Sequence, residues 1–520
     1  MGTLHPTSEE VSEIDYQEGT SSSEQLDAGA LFVLKSRGSW LHCGYHLTTS
    51  IVAPSLLSLP YALSLMGWFP GVLCLILAAL VTFYSYNLLS LVLEHHAQLG
   101  RRQLRFRVMA EDILGPAWGR YFVGPIQFGV CYGSVIACIL LGGQSLKFIY
   151  LLSTPKGSIQ LYGFVSIFGI LMLVLAQIPS FHSLRHISLV SLVLALAYSA
   201  CTTAGSVHIG NSKNAPPKDY SIDGIMQNRV FGAFSAISII ATTYGNGIIP
   251  EIQVFFVPQA TVAPPVEGKM FKGLLVCYAV IIMTFFSVAI SGYWAFGNQT
   301  KGVILMNFVV DEKPSLPTWV LLMTNVFTLL QVAAVSVFSY KNKVKPTSTY
   351  YTFLAKHLSL QLQMGGLEHY FTEIAGVLNY TSCCDLIRMP RFVQVYLQPT
   401  NDVFERKFSD AKSDQFSIRN AVPRLVFRSL SVIIATAVAA MFPFFGDINA
   451  VIGAFGFIPL DFILPVIFYN VTFKPSKKGL MFWGNTAIAI ICSAVGVLGA
   501  ISSIRQIILD ANTYSLFANV

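Results

Sequence analysis

Charge is scarce in this chain. Asp, Glu, Lys and Arg make up 11% of its 520 residues, where a soluble domain of ordinary composition carries about a quarter. So little charge cannot clothe several globular surfaces, which excludes a water-soluble multidomain protein. Paired cysteines are lacking as well. The nine cysteines fall at irregular spacings, mostly within apolar runs (Cys74, Cys131, Cys138, Cys201, Cys277, Cys492), and only Cys383 and Cys384 adjoin. They give neither a disulfide ladder nor Cys-x-x-Cys ligands, so no metal site is expected. Gly-x-Ser-x-Gly, His-Glu-x-x-His and a His-rich cluster in the apolar runs are missing, so a membrane-embedded enzyme would lack its nucleophile or metal. No repeated filter-like segment or ring-forming charge speaks for a channel. Lysine and arginine are absent before Lys35, while Glu9, Glu10, Glu13, Asp15, Glu18, Glu24 and Asp27 crowd the start. No cleaved signal peptide is expected from such a start, and residues 1–38 read as a disordered, acidic cytoplasmic tail.

What the chain has in abundance is apolar length. Hydrophobic residues make up 54% of it, mean hydropathy is +0.60, and 38 Phe, 22 Tyr and 6 Trp supply rings suited to the headgroup level of a bilayer. Stretches of roughly twenty apolar residues, each able to cross a ~30 Å hydrocarbon layer, recur at 40–63, 68–92, 122–150, 160–178, 184–208, 230–250, 272–296, 318–340, 424–445, 447–470 and 480–505. The expected fold is therefore an all-α integral membrane protein of eleven spans, with the membrane domain at 39–508 and a short extracellular tail at 509–520. Arg101, Arg102, Arg105, Arg107, Arg120, Arg185, Lys269, Lys272, Lys474, Lys477 and Lys478 fall in alternate loops, which puts those loops and the N-terminus in the cytoplasm and the C-terminus outside. The net charge of +7 is thus loop charge against lipid, not a nucleic-acid surface. The stretch Val108, Ile113, Leu114 and Trp118, beside the arginines between spans two and three, reads as a helix lying partly on the inner membrane surface. Asn298-Gln299-Thr300 is a glycosylation sequon on an outer loop.

Backbone groups inside a membrane must be satisfied internally, so an unwound stretch persists there only where it lines a cavity or binds something. Two spans carry breaks. Span one holds Ser50, Ile51, Val52, Ala53, Pro54 and Ser55, with Pro54 and Pro60 each removing a helix hydrogen bond. Span six holds Tyr244, Gly245, Asn246 and Gly247, followed by Pro250 and Glu251. The two are five spans apart, as in a transporter built from inverted five-helix halves with its site at the midplane; kinked but continuous helices are the other reading.

The runs Trp40 to Trp68, Met109 to Gly119, Tyr244 to Gln253 and Gly453 to Pro465 together resemble the amino acid/auxin permease family, with the plant GABA transporters as the nearest branch. The resemblance implies a leucine-transporter-type 5+5 inverted repeat plus one helix. It also implies a monomer that imports small amino acids with protons at the plasma membrane and uses no cofactor beyond the proton. A broad neutral amino acid or proline permease of the same family is the alternative cargo class.

A zwitterion brings a carboxylate and an ammonium, and neither can be buried unpaired. Helix ends offer both partners: N–H groups suit the carboxylate and carbonyls the amine. Residues Ser50 to Ser55 are expected to cradle the carboxylate and the carbonyls around Tyr244, Gly245, Asn246 and Gly247 the amine. Tyr132 could close the site from span three, or Gly129 and Gly133 beside it could serve helix packing. Glu251 and Asp461 are charged residues at or in spans, and such residues default to function. Either could carry the coupling proton; the other readings are a gate at the inner mouth for Glu251 and a hydrogen bond within the bundle for Asp461. Thr324 and Thr328 are where a sodium-coupled relative would bind its ion.

Two stretches depart from the family pattern. Val254–Gln259 intervenes before the expected Ala-Thr-Val-Ala-Pro-Pro run, and Val337–Gln394 separates span eight from Val395-Tyr396-Leu397-Gln398-Pro399. Both end in Gln, and Val-Phe-Phe-Val-Pro-Gln is what a pyrimidine-rich stretch closing in CAG encodes, so retained intron is one reading of the atypical cytoplasmic insert at 337–394 and a regulatory loop the other. Cytoplasmic insertions of this kind cost little closure entropy. Peptides covering 342–390 are expected to be missing from the native protein, and their recovery would establish the loop as genuine.

Overall fold

Apolar sequence becomes helix wherever the backbone must satisfy its own hydrogen bonds, and most of the described residues are helical. A computed structural model describes residues 40–99, 105–154, 157–177, 184–213, 215–222, 224–247, 269–310, 313–336, 418–513 and 517. Glu251, the stretches 254–259 and 337–394, the N-terminal tail and Arg101 and Arg102 lie outside the described residues.

Span one is broken as expected, running as Trp40–Ile51, a 3-10 turn at Pro54–Ser58 and Leu59–Met66. Gly67, at φ +81°, turns the chain in a single residue into span two, Trp68–Gln98, a conformation that favours glycine. Span three is Gly124–Ser153, span four Leu161–Gln177 and span five Leu184–Gly210. Span six is helical over Met226–Tyr244 and stops there. Spans seven and eight are Lys269–Phe296 and Thr318–Ser336; span nine is Ile418–Met441. Span ten runs as Phe445–Ile452, a π-helical stretch Gly453–Ile463 and Leu464–Phe473. Span eleven is Leu480–Thr513, passing the boundary expected at 508. Among the described residues, six helices are long and apolar enough to cross a membrane, and four shorter ones are also apolar. Extended structure among them is confined to a two-residue ribbon, Val309–Val310 against Lys313–Pro314, on the loop after span seven.

The connection between spans two and three does form a helix, Phe106–Leu114, but its buried side is Phe106, Met109 and Ala110, with Trp118, Tyr121 and Phe122 exposed beyond it. Arg107 pairs with Glu111 at 3.5 Å. On the other face, the loop before span six closes over the end of span seven: Asn298 N–H donates to the Asp219 carbonyl (2.8 Å) and Tyr220 donates to the Trp294 carbonyl (2.9 Å). Trp68 packs on Tyr293 and Tyr220, with ring centroids 4.7 and 5.6 Å away.

The first half of span one lies against span seven and its second half against span six, while span ten wedges between spans six and eleven. Span ten is largely buried, whereas span eleven shows Ile490, Ile491, Val497, Ile504 and Ile508 to the outside, as expected of a lipid-facing helix. Close approach of span ten to span six depends on Gly453, where a methyl group would strike the Ser238 carbonyl. Gly133 is also at a contact, its added Cβ falling 2.8 Å from Ile452, but Gly129 has open space around it. The packing role expected of both glycines therefore belongs to Gly133. Gly453→Ala should destabilise the purified protein at the upper end of the roughly 1–3 kcal/mol that overpacking costs, read as a drop in thermal midpoint, and Gly129→Ala should leave the midpoint unchanged.

Candidate functional site

Span one breaks because Pro54 has no N–H to give and the residues before it turn back on themselves. Val52 N–H still reaches the Thr48 carbonyl (2.8 Å), but Ala53 N–H folds onto the Ile51 carbonyl (2.7 Å) and Leu56 N–H onto that of Ala53 (3.2 Å). Ile51, Val52, Pro54 and Ser55 are buried at this point, and the Ser55 hydroxyl has no hydrogen-bond partner. Ser50 Oγ donates to the Leu47 carbonyl at 3.0 Å.

Span six ends because Gly245 leaves the helix for an extended conformation, φ −73° and ψ 147°. Phe457 of span ten fills the space where a Gly245 side chain would lie, and Val130 of span three stands 3.1 Å from the corresponding point on Gly247. The groups released by the break are taken up one by one. Tyr86 of span two donates its hydroxyl to the Tyr244 carbonyl (2.9 Å), and Gln127 of span three donates to the Gly247 carbonyl (3.3 Å). Asn246 N–H donates to Asp461 Oδ2 of span ten at 3.0 Å, and the Asn246 side-chain amide donates to Ser50 Oγ at 2.5 Å. The two breaks thus meet directly. The Tyr244 ring is buried edge-on against Phe285 of span seven, 5.0 Å between centroids.

Asp461 is completely buried; besides Asn246 it has the Tyr86 hydroxyl as a hydrogen-bond neighbour, and its Oδ1 has no partner. Pro459, which cannot donate to the helix ladder, lies within the π-helical winding. That winding keeps Gly453, Phe457 and Asp461 on the side facing span six. Span ten is tied to the breaks a second time, where Thr242 donates to the Asn449 carbonyl at 2.5 Å.

Of the residues expected at the site, Ser50 to Ser55, Tyr244 to Gly247 and Asp461 come together here. Tyr132 does not: its hydroxyl donates to the Ser431 carbonyl of span nine at 2.9 Å, because Val130, two residues earlier, occupies the helix side that faces span six. The Tyr244 and Gly247 carbonyls, expected to await an amine, already accept hydrogen bonds, and the N–H of Asn246 faces a carboxyl. Thr324 and Thr328 donate to the Val320 and Thr324 carbonyls one turn back (2.8 Å each), as ordinary helix hydroxyls do. On the outer loop, Asn298 is partly exposed and the Thr300 hydroxyl donates to the Gly297 carbonyl (2.7 Å). Ser221, through its N–H and hydroxyl, and then Asn298 hold the Asp219 carboxyl below the usual carboxylate range. Tyr86, Gln127, Asn449 and Phe457 were not singled out by sequence; Gln127 and Asn449, amides inside apolar runs, carried the one available signal.

Residues 36–345 and 383–509 match the family described as Transmembrane amino acid transporter protein, with the match interrupted inside the atypical insert. The chain is similar to GABA transporter 1 of Arabidopsis thaliana, 55% identical over 499 residues covering 96% of this chain and 97% of the relative. It is also similar to Lysine histidine transporter-like 1 of the same plant, 26% identical over 99% of this chain and 98% of the relative. A solved nucleobase-cation-symport-1 family transporter, in a closed conformation with bromovinylhydantoin bound, aligns over 92% of this chain and 94% of its own at 13% identity. Its TM-score of 0.45 is too low to add weight to the fold described above.

Proposed function

Because the chain belongs to the transmembrane amino acid transporter family, and so is a multi-pass membrane protein that moves amino acids, we propose that it carries GABA or a related small amino acid into the cell together with a proton. The cargo class rests on the 55% identity to GABA transporter 1. The coupling rests on one observation: a fully buried carboxyl, Asp461, holds the N–H of the residue at the span-six break. A carboxyl at that position can take a proton from one side and release it to the other in step with the break opening. Cargo is held between Ser50 to Ser55 and Tyr244 to Gly247, chiefly by backbone groups and apolar walls, and no enzymatic step or cofactor is needed. The base-rich loops face the cytoplasm of a cell whose plasma membrane holds the protein as a monomer, with the N-terminus inside, the C-terminus outside and Asn298 as a glycan acceptor. Glu251 follows the same break and gates the inner mouth.

The alternative, a broad neutral amino acid or proline permease, differs in cargo and keeps the same site. Radiolabelled GABA uptake into cells with an imposed inward proton gradient should be concentrative, should collapse with an uncoupler, and should be competed better by ω-amino acids than by proline or α-amino acids. Asp461→Asn should abolish accumulation above equilibrium at unchanged surface abundance, a loss of at least about tenfold, equivalent to about 1.4 kcal/mol of coupling. Accumulation unaffected by the uncoupler would refute proton coupling, and stronger competition by proline would reassign the cargo.

A further inference from the structure

Asp461 has two oxygens in different situations. Oδ2 accepts the Asn246 N–H at 3.0 Å, whereas Oδ1 is buried with no hydrogen-bond partner. A carboxyl oxygen buried without a donor is costly unless the group exchanges it for something else during its working cycle. The N–H it faces is also unusual. It is the donor released where span six stops being a helix, and a backbone N–H freed in this way makes a charge-assisted hydrogen bond to a carboxylate. Asp461 therefore already supplies, from within the protein, the chemical group that an amino acid would bring.

Resting on the reading of the chain as a proton-coupled amino acid transporter, we infer that Asp461 is a built-in stand-in for the cargo carboxylate, and that a proton on Asp461 converts it from that carboxylate's rival into its hydrogen-bond donor. With Asp461 ionised, it and the cargo carboxylate compete for the Asn246 N–H and repel each other in a medium of low polarity. A proton taken from the outer solution onto Oδ1 removes one of the two like charges, weakens the grip of Oδ2 on Asn246, and lets the new O–H point at the cargo carboxylate. The same proton leaves Oδ1 for the cytoplasm when the cargo departs, and Asp461 takes Asn246 back. Cargo and proton therefore favour each other's binding, which is the sign that symport requires; an aspartate reserved for the cargo ammonium would favour the opposite exchange. Among the described residues, the titratable groups around Asp461 are the phenols of Tyr86 on span two and Tyr278 on span seven, the latter beside that of Tyr244 on span six. Tyr86 is a positioning residue, lying against Asp461 while donating to the Tyr244 carbonyl.

The test is proton uptake by the purified full-length protein in weakly buffered detergent solution near neutral pH. Adding GABA should draw about one proton per protein from solution. Butyrate, which keeps the carboxylate, should also draw protons, and butylamine, which keeps only the amine, should draw none. In Asp461→Asn, GABA should still bind but draw no proton, and its affinity should lose the fall of about tenfold per pH unit that one linked proton gives the wild type. Should that variant fail to fold, the butyrate and butylamine arms on the wild type still decide. Equal proton uptake with butylamine, or proton release with GABA, would overturn the stand-in while leaving GABA as cargo. Persisting uptake in folded Asp461→Asn would move the proton to another residue and overturn it too. Failure of GABA to bind the wild type would overturn the proposed cargo and this inference together.

Discussion

A helix cannot be interrupted inside a membrane unless something else takes the hydrogen bonds it gives up, and here that task converges on Asn246. Its backbone N–H is held by Asp461 and its side chain by Ser50. One residue thereby joins the break in span six to the break in span one and to the centre of span ten. The flanking carbonyls are served from spans two and three by Tyr86 and Gln127, so four elements besides span six share the cost of one interruption. On the proposed function, each of those bonds is one that a group of the cargo would replace.

The arrangement depends on how closely span ten approaches. Gly453 meets the backbone of span six at Ser238, and Gly456 brings the same segment against Val130 of span three. The π-helical winding around Pro459 then carries Phe457 onto Gly245 and Asp461 onto Asn246. Rigid packing between these elements limits them to discrete arrangements rather than gradual ones. On the proposed function, opening the break would move span ten relative to span six, with Asp461 at the contact between them.

The spans, the break at Pro54 and the end of span six at Gly245 were legible because their causes are local: apolar length, a missing N–H, a residue without a side chain. Asp461 was legible as a charge inside an apolar run. Its partner was not, since Asn246 and Asp461 are 215 residues apart in the chain and only the packed bundle brings them together. For the same reason the carbonyls of Tyr244 and Gly247 looked free, because the donors Tyr86 and Gln127 reside on distant spans. Tyr132, expected to face the site from span three, instead bonds to span nine, because it is Val130, two residues earlier, that faces span six.

On the proposed function, the hydrogen bond between Asn246 and Ser50 joins the two breaks and must part for cargo to enter between them. Cysteines at both positions, Ser50→Cys with Asn246→Cys in a chain whose native cysteines have been replaced, can be cross-linked by an oxidant and released by a reductant. The cross-link should form readily without cargo, form more slowly with GABA present, and stop uptake until it is reduced. Uptake at the normal rate through the cross-linked protein would contradict it.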